Sequence, residues 1–231
     1  MILSIIIPAY NEEKTIIKVL EKIKNNSPNL FKYEVIVIDD GSTDGSKKLL
    51  ENNKNLYNKL LINDTNKGKG FSVKRGILSS SGTHIIFQDA DFEYDPSDFK
   101  KFVKIFLDFD ADGIVGSRFN YSEYTRSHNI LNKFANKILT FVFNILYNTT
   151  FTDIYSCYFA FKKNLLDADS LKTDGFEQHA EILCKVIKNG KYFYEVPISY
   201  NGRSHDEGKK IKFYHFFIVL FRIALERIPY K

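Results

Sequence analysis

HIIFQDADFEYDP, residues 84–96, decides how the rest of the chain is read. Its first four residues, His84-Ile85-Ile86-Phe87, form a mostly apolar, β-type run of the kind expected for a buried strand. Asp89 and Asp91 then follow one residue apart, which places two carboxylates at the C-terminal end of that strand. Open α/β sheets bind their ligands at this edge. Hard oxygen donors there suit a Mg2+ or Mn2+ ion that also holds phosphate oxygens, so the stretch suggests a metal-diphosphate site. Taken alone the DxD triplet does not exclude an ordinary solvated acidic turn.

On either side of this stretch the chain alternates between strand and helix signals. Residues 3–7 are a continuous apolar, β-branched-rich run ended by Pro8, and Asn11 can cap a helix that repeats Ile16, Val19, Leu20 and Ile23 before Ser27-Pro28. A second buried strand over 34–38 runs into Asp39-Asp40-Gly41-Ser42 and a helix over 43–52. A third strand, Lys59–Ile62, leads into Asn66-Lys67-Gly68-Lys69-Gly70 and a helix over 71–78. After the opening stretch come a helix over 96–106, a strand over 113–116 and Ser117-Arg118. Such alternation predicts an α/β fold with a mainly parallel, doubly wound sheet flanked by helices.

Past Arg118 the pattern changes. A polar loop spans 119–129, and a strongly apolar helix is expected over 130–147. Residues 153–161 lead into a short strand, 176–188 form a helix and 192–198 a strand. A loop containing Arg203, His205, Glu207, Gly208, Lys209 and Lys210 precedes an aromatic amphipathic helix over 211–228. That last segment is too short, and too interrupted by Arg222, to span a bilayer. It suits either a membrane interface or a packed helix at a core or dimer surface.

Composition narrows the class. With 231 residues, 44% hydrophobic and 26% charged, the chain can bury one core, and nothing requires a second domain. The net charge of +5 favours anionic partners, but 33 basic residues stand against 28 acidic ones and no nucleic-acid-binding motif is present. Cys157 and Cys184 alone make neither a disulfide framework nor metal-type spacing, and suit a reducing cytosol. The opening MILSIIIPAYNEE lacks a basic leader and reads as a first strand.

Two more motifs carry chemistry. Asp39-Asp40 can close a turn and cap a helix, or accept hydrogen bonds from a nucleobase N–H or ribose hydroxyl. The NKGKG loop can cradle phosphate, with Lys67 and Lys69 adding charge. It lacks Walker spacing, and no GxGxxG follows the first strand, which counts against P-loop NTPases and dinucleotide-dependent dehydrogenases.

Together IPAYNEE at 7–13, DDGSTDGS at 39–46, NKGKGFSVKRGI at 66–77, QDADFEYDP at 88–96 and GSRF at 116–119 resemble the family-2 inverting glycosyltransferases. NKILT at 136–140, TDIYSCY at 152–158 and EVPISYNGRSHDEGKKI at 195–211 extend the resemblance, in the branch acting on dolichyl and polyprenyl phosphates, over nearly the whole chain. It implies one GT-A unit over 1–231: a nucleotide-sugar-binding half, 1–118, an acceptor half, 119–210, and an amphipathic segment, 211–231.

The resemblance also implies roles. Pro8, Tyr10 and Glu12 would line the nucleoside of a GDP- or UDP-hexose, with Asp39 and Asp40 toward base or ribose and Lys69 and Ala90 in the same donor site. Asp89 and Asp91 would organise the Mg2+ or Mn2+, with Glu93 as a further oxygen donor. Arg118 would face phosphate, and Arg126, Arg203 and Lys209 would contact the acceptor phosphate. A polyprenyl phosphate is already ionised near neutral pH and needs positioning more than a base. A glycan hydroxyl would instead need a proton acceptor, for which Asp153, His179 and Glu181 are the candidates. Catalysis is thus assigned to Asp91, Arg118 and Asp153, at the cytosolic face of a membrane. The chain departs from the family's pattern at Phe159, at 178–182 and at Phe213-Tyr214-His215. These departures lie in the acceptor half and leave an inactive nucleotide-sugar-binding or scaffold protein as the reading from another class.

Overall fold

A computed structural model describes residues 1–26, 31–120, 124–126, 130–203 and 214–228. Its centre is a seven-stranded sheet in the order β3-β2-β1-β4-β6-β5-β7. The strands are β1 (Ile2–Ala9), β2 (Lys32–Asp39), β3 (Lys59–Ile62), β4 (His84–Phe87), β5 (Gly113–Ser117), β6 (Phe159–Lys162) and β7 (Phe193–Pro197). The helices are α1 (Ile16–Asn26), α2 (Ser46–Asn52), α3 (Lys69–Ser79), α4 (Phe99–Phe109), α5 (Ile130–Tyr147), α6 (Gln178–Asn189) and α7 (His215–Arg227). Four strand pairs are parallel, and β6 alone runs antiparallel, against both β4 and β5.

That reversal matters for the site. The start of β6 lies beside the C-terminal ends of β4 and β5, so residues 152–158 arrive at the same edge as Asp89 and Arg118. The segment after β7 reaches that edge as well, because β7 is parallel to β5.

Burial explains why the central strands form. Leu3, Ile5, Ile6, Ile7 and Ile36 to Ile38 are fully buried, as β-branched residues in a parallel sheet covered on both faces should be. Pro8 does not end β1, contrary to the sequence reading, because β1 continues to Ala9 and pairs Pro8 with Ile38. In a parallel ladder successive residues turn their polar groups to opposite neighbours. Ile6 C=O accepts from Gln88 on the β4 side and Ala9 C=O from Asp40 on the β2 side. Pro8 shares Ile6's side, where the β4 ladder has already ended, so its missing N–H costs no bond.

Other boundaries move for equally local reasons. Asn11 does not cap α1: it has a left-handed φ of 56°, and its side chain accepts from Thr43 N–H. The α2 helix begins at Ser46 rather than 43, because Asp44 and Gly45 bond the 11–13 turn. The α4 helix begins at Phe99, after a 3-10 turn capped by Asp95. Helix α5 spans the expected residues, and α7 is fastened to it by Tyr147 Oη to Ile223 C=O and by Arg227 Nε to Leu146 C=O. Among the described residues no helix is long and apolar enough to cross a membrane.

Candidate active site

The C-terminal ends of β1, β2, β4 and β5, the loop before β6 and the segment after β7 surround a cavity of about 580 Å³. Pro8, Tyr10, Glu12, Asp40, Lys69, Asp89, Ala90, Asp91, Glu93, Arg118 and Arg203 all line it, so the expected donor-site residues meet there except Asp39, which is fully buried and does not line the cavity.

Its floor is a set of paired charges. Lys69 Nζ sits 2.5 Å from Asp89 Oδ1. Burial alone would raise the Asp89 carboxyl, but the Lys69 ammonium beside it holds it below the usual carboxylate range. Asp91 behaves oppositely: burial, then repulsion from Asp89 and Glu93, pushes its carboxyl up to about 7 despite Arg203. The Arg203 guanidinium bonds Asp91 Oδ2 and lies 3.5 Å from both Glu12 Oε1 and Glu93 Oε1. Glu93 also anchors the segment after β7, accepting Arg203 N–H at 2.8 Å and Tyr200 Oη–H at 3.1 Å.

These carboxylates suit Mg2+ or Mn2+ in their chemistry, as hard oxygen donors beside one another. Among the described residues, however, no three potential ligands are grouped as a metal site. Lys69 and Arg203 answer the carboxylates instead, so Asp89 and Asp91 would hold an ion only by exchanging those partners. Glu93 is committed to the 200–203 segment.

The two aspartates ending β2 differ sharply. Asp39 is fully buried, and neither carboxylate oxygen has a hydrogen-bond partner. An orphaned carboxylate is costly, and points to a donor that binding would supply. Asp40 accepts Asn63 Nδ2 at 2.6 Å, Lys67 N–H at 3.0 Å and Gly68 N–H at 2.9 Å. It therefore clamps the NKGKG loop at the edge of the cavity, which it also lines.

That loop is not a phosphate cradle. Its Lys67 and Gly68 amides go to Asp40, and its Gly70 and Phe71 amides to Asp174 C=O. The glycines are needed because a Cβ at Gly68 would lie 2.5 Å from Asp174 O, and one at Gly70 2.6 Å from Asp174 C. Only the Lys69 side chain faces the cavity charge.

Arg118 and Asp153 form a buried bidentate pair, Nε to Oδ2 at 2.7 Å and Nη2 to Oδ1 at 2.9 Å. Arg118 N–H also bonds Oδ2 at 3.0 Å, and Asp153 has no exposure. Asp153 therefore holds Arg118 in place and is not poised to take a proton from an acceptor. The other two candidate bases fare no better. Burial, then the nearby Lys69 charge, pushes His179 down to about 4, and its ring packs among those of Phe87, Tyr155 and Phe159. Glu181 is fully buried and paired with Arg222.

Arg126 lies elsewhere, in an adjoining cleft of about 390 Å³ with Lys22, Asp95 and Tyr124. Lys209 falls outside the described residues. Residues not anticipated are Tyr94, Tyr155 and Cys157. Tyr94 Oη accepts Cys157 N–H at 3.0 Å and lies 3.4 Å from Arg118 Nη1, bridging β4's loop to the strand that runs backward. Its place inside QDADFEYDP was the only available signal.

The far wall is largely apolar, with Leu131, Leu139, Phe176, Ile182, Phe216 and Val219 from α5, the α6 approach, α6 and α7, interspersed with Asn132, Asn136, Gln178, His179 and His215. Outside it, Phe134, Phe141 and Ile145 of α5 and Phe217 and Phe221 of α7 are exposed.

The profile described as glycosyl transferase family 2 matches residues 4–169. An uncharacterized protein of Methanocaldococcus jannaschii is 31% identical over 215 residues, 87% of this chain and 88% of that one. Dolichol-phosphate mannosyltransferase of Pyrococcus furiosus is 29% identical over 214 residues, 90% of this chain but only 59% of its own length. Among solved structures, glucosyl-3-phosphoglycerate synthase from Mycobacterium tuberculosis, in complex with Mn2+, UDP and phosphoglyceric acid, superposes with a TM-score of 0.72 at 19% identity. That match covers 98% of this chain and 79% of the synthase, and at this identity it establishes a shared fold.

Proposed function

The chain belongs to glycosyl transferase family 2, and we propose that it transfers a hexose from a GDP- or UDP-linked donor to a polyprenyl phosphate at a membrane surface. One observation carries this reading: a single cavity has a charged floor at the sheet edge and a largely apolar wall on α5, α6 and α7. A nucleoside diphosphate suits the first, and an ionic head group on a hydrocarbon chain suits the two together.

Asp39 lies behind Asp40 rather than in the cavity lining, and its unpartnered oxygens would accept a base N–H, which uracil and guanine both offer, only where binding opens the end of β2. Lys69, Arg203 and Arg118 supply cations around the diphosphate and the incoming phosphate. A divalent cation held by Asp89 and Asp91 would offset the charge of the departing diphosphate. A phosphate oxygen of the acceptor forms a bond to the sugar's anomeric carbon as the bond to the nucleoside diphosphate breaks, and the electron pair leaves with the diphosphate. Attack from the opposite face inverts the centre. No base is required, which accords with the occupied state of Asp153 and Glu181 and the low basicity of His179. The exposed apolar residues of α5 and α7 would rest in the membrane interface.

A thermal-shift panel of UDP- and GDP-hexoses with Mg2+ or Mn2+ tests the donor. The correct one stabilises the fold by about 2.7 kcal/mol at a hundredfold excess over its dissociation constant. Transfer to a short-chain polyprenyl phosphate but not to free saccharides supports the acceptor, and the reverse preference overturns it. Flotation with anionic lipid vesicles, reduced by Phe217→Ser with Phe221→Ser, tests the membrane contact.

A further inference from the structure

Glu181 on α6 and Arg222 on α7 lie outside the cavity lining, yet with Glu226 and the half-buried Lys185 they form a buried charge cluster. Arg222 Nη2 is 2.5 Å from Glu181 Oε1 and 2.6 Å from Glu226 Oε1. Glu181 also accepts Lys172 N–H at 3.0 Å, Thr173 N–H at 3.1 Å and Thr173 Oγ1–H at 2.6 Å. Burying a carboxylate costs several kcal/mol unless partners answer it, so packing alone does not explain one here. What these bonds accomplish is to fix the turn at 172–174.

The next residue in that turn, Asp174, accepts Gly70 N–H at 2.7 Å and Phe71 N–H at 3.3 Å through its main-chain oxygen. These are among the otherwise unsatisfied amides of the first turn of α3. The contact has no slack, since a Cβ at Gly68 or Gly70 would strike Asp174. Between the two glycines stands Lys69, which carries its ammonium to Asp89.

We propose that Glu181 and Arg222 are positioning residues for the donor site: docking of α7 on α6 fixes the 172–174 turn, which sets the start of α3 and hence Lys69 against Asp89. This rests on the reading of Lys69 and Asp89 as the diphosphate end of the donor site. It ties that end to α7, whose opposite face is the exposed apolar surface.

The test pairs amide hydrogen exchange at Gly70 and Phe71, followed by NMR, with UDP and GDP affinity by calorimetry. Glu181→Gln and the milder Thr173→Val should speed exchange at both amides. They should also weaken nucleotide binding about tenfold, the size of effect seen when partners of a ligand-binding residue are removed. Arg222→Met should do the same, and Arg222→Lys should restore most of both. Glu34→Gln, a buried acid at the opposite end of the sheet, serves as the control for general destabilisation. Unchanged exchange at Gly70 and Phe71 in Glu181→Gln overturns the linkage. Faster exchange with unaltered nucleotide affinity overturns its role in the donor site. Faster exchange in a protein whose native form binds neither nucleotide overturns the donor reading while leaving the linkage standing.

Discussion

The two ends of the sheet treat their carboxylates in opposite ways. At the N-terminal end, Glu34 accepts from Ser4 Oγ, Ser81 N, Ser81 Oγ and Gly82 N, between 2.5 and 2.9 Å. Burial would raise its carboxyl, but those bonds hold it below the usual carboxylate range. Asp112, before β5, is met on Oδ2 by the amides of Lys191 and Tyr192, with Lys162 Nζ 3.1 Å from Oδ1. At the C-terminal end main-chain amides hold Asp40 and one reaches Asp91 Oδ1, but Asp39 has no partner, Asp89 and Asp91 Oδ2 lean on movable side-chain cations, and Asp91 is pushed up to about 7. An acid satisfied by its own main chain holds the fold together. An acid left unsatisfied, or with an oxygen met by a side chain that can exchange, is available to a ligand.

Exchanging acid for amide at each end should separate activity from stability. Asp91→Asn should cut transfer on the order of a thousandfold while leaving the thermal midpoint nearly unchanged. Full turnover in that variant would remove Asp91 from the chemistry. Glu34→Gln should do the reverse, costing about 2 kcal/mol, or roughly 4–8 °C, because one group that accepted hydrogen bonds now opposes donors. Donor affinity should be unaffected, and its loss would mean that the two ends are coupled.

The smallest effect concerns pH. His84 at one end is pushed down to about 4 by burial and then by Lys162, and His179 at the other by burial and then by Lys69. Unfolded chains take up these protons first as pH falls below the ordinary value near 6.5, so stability is present above that value and is lost between 6.5 and 4. The loss should be roughly 1–2 kcal/mol per histidine after allowing for partial exposure. Denaturant titrations of His84→Asn and His179→Gln at pH 7 and 4.5 would show each share as a shallower pH dependence.

Elements whose stability is local were legible from the chain itself. Apolar runs identified β1 to β5, and helical spacing identified α1 and all of α5. Boundaries failed where a distant atom replaced a local bond, as when Asp174 C=O received the first amides of α3. NKGKG looked like an anion loop because glycine and lysine are what an anion loop uses, but here the glycines admit a neighbouring backbone. Asp153 carried the composition of a base, and no spacing announces that its two oxygens will be taken by Arg118, 35 residues before it.

The sequence by itself determined the alternation of strand and helix, the acids at strand ends and the family, because periodicity, turn chemistry and motif order are written along the chain. Tertiary structure alone decided which charges meet. Arg203 reaches Asp91 from 112 residues away and Glu181 finds Arg222 on another helix. Such pairings are set by the reversed entry of β6 and the packing of α6 and α7, because a buried charge is costly unless the fold brings a partner near.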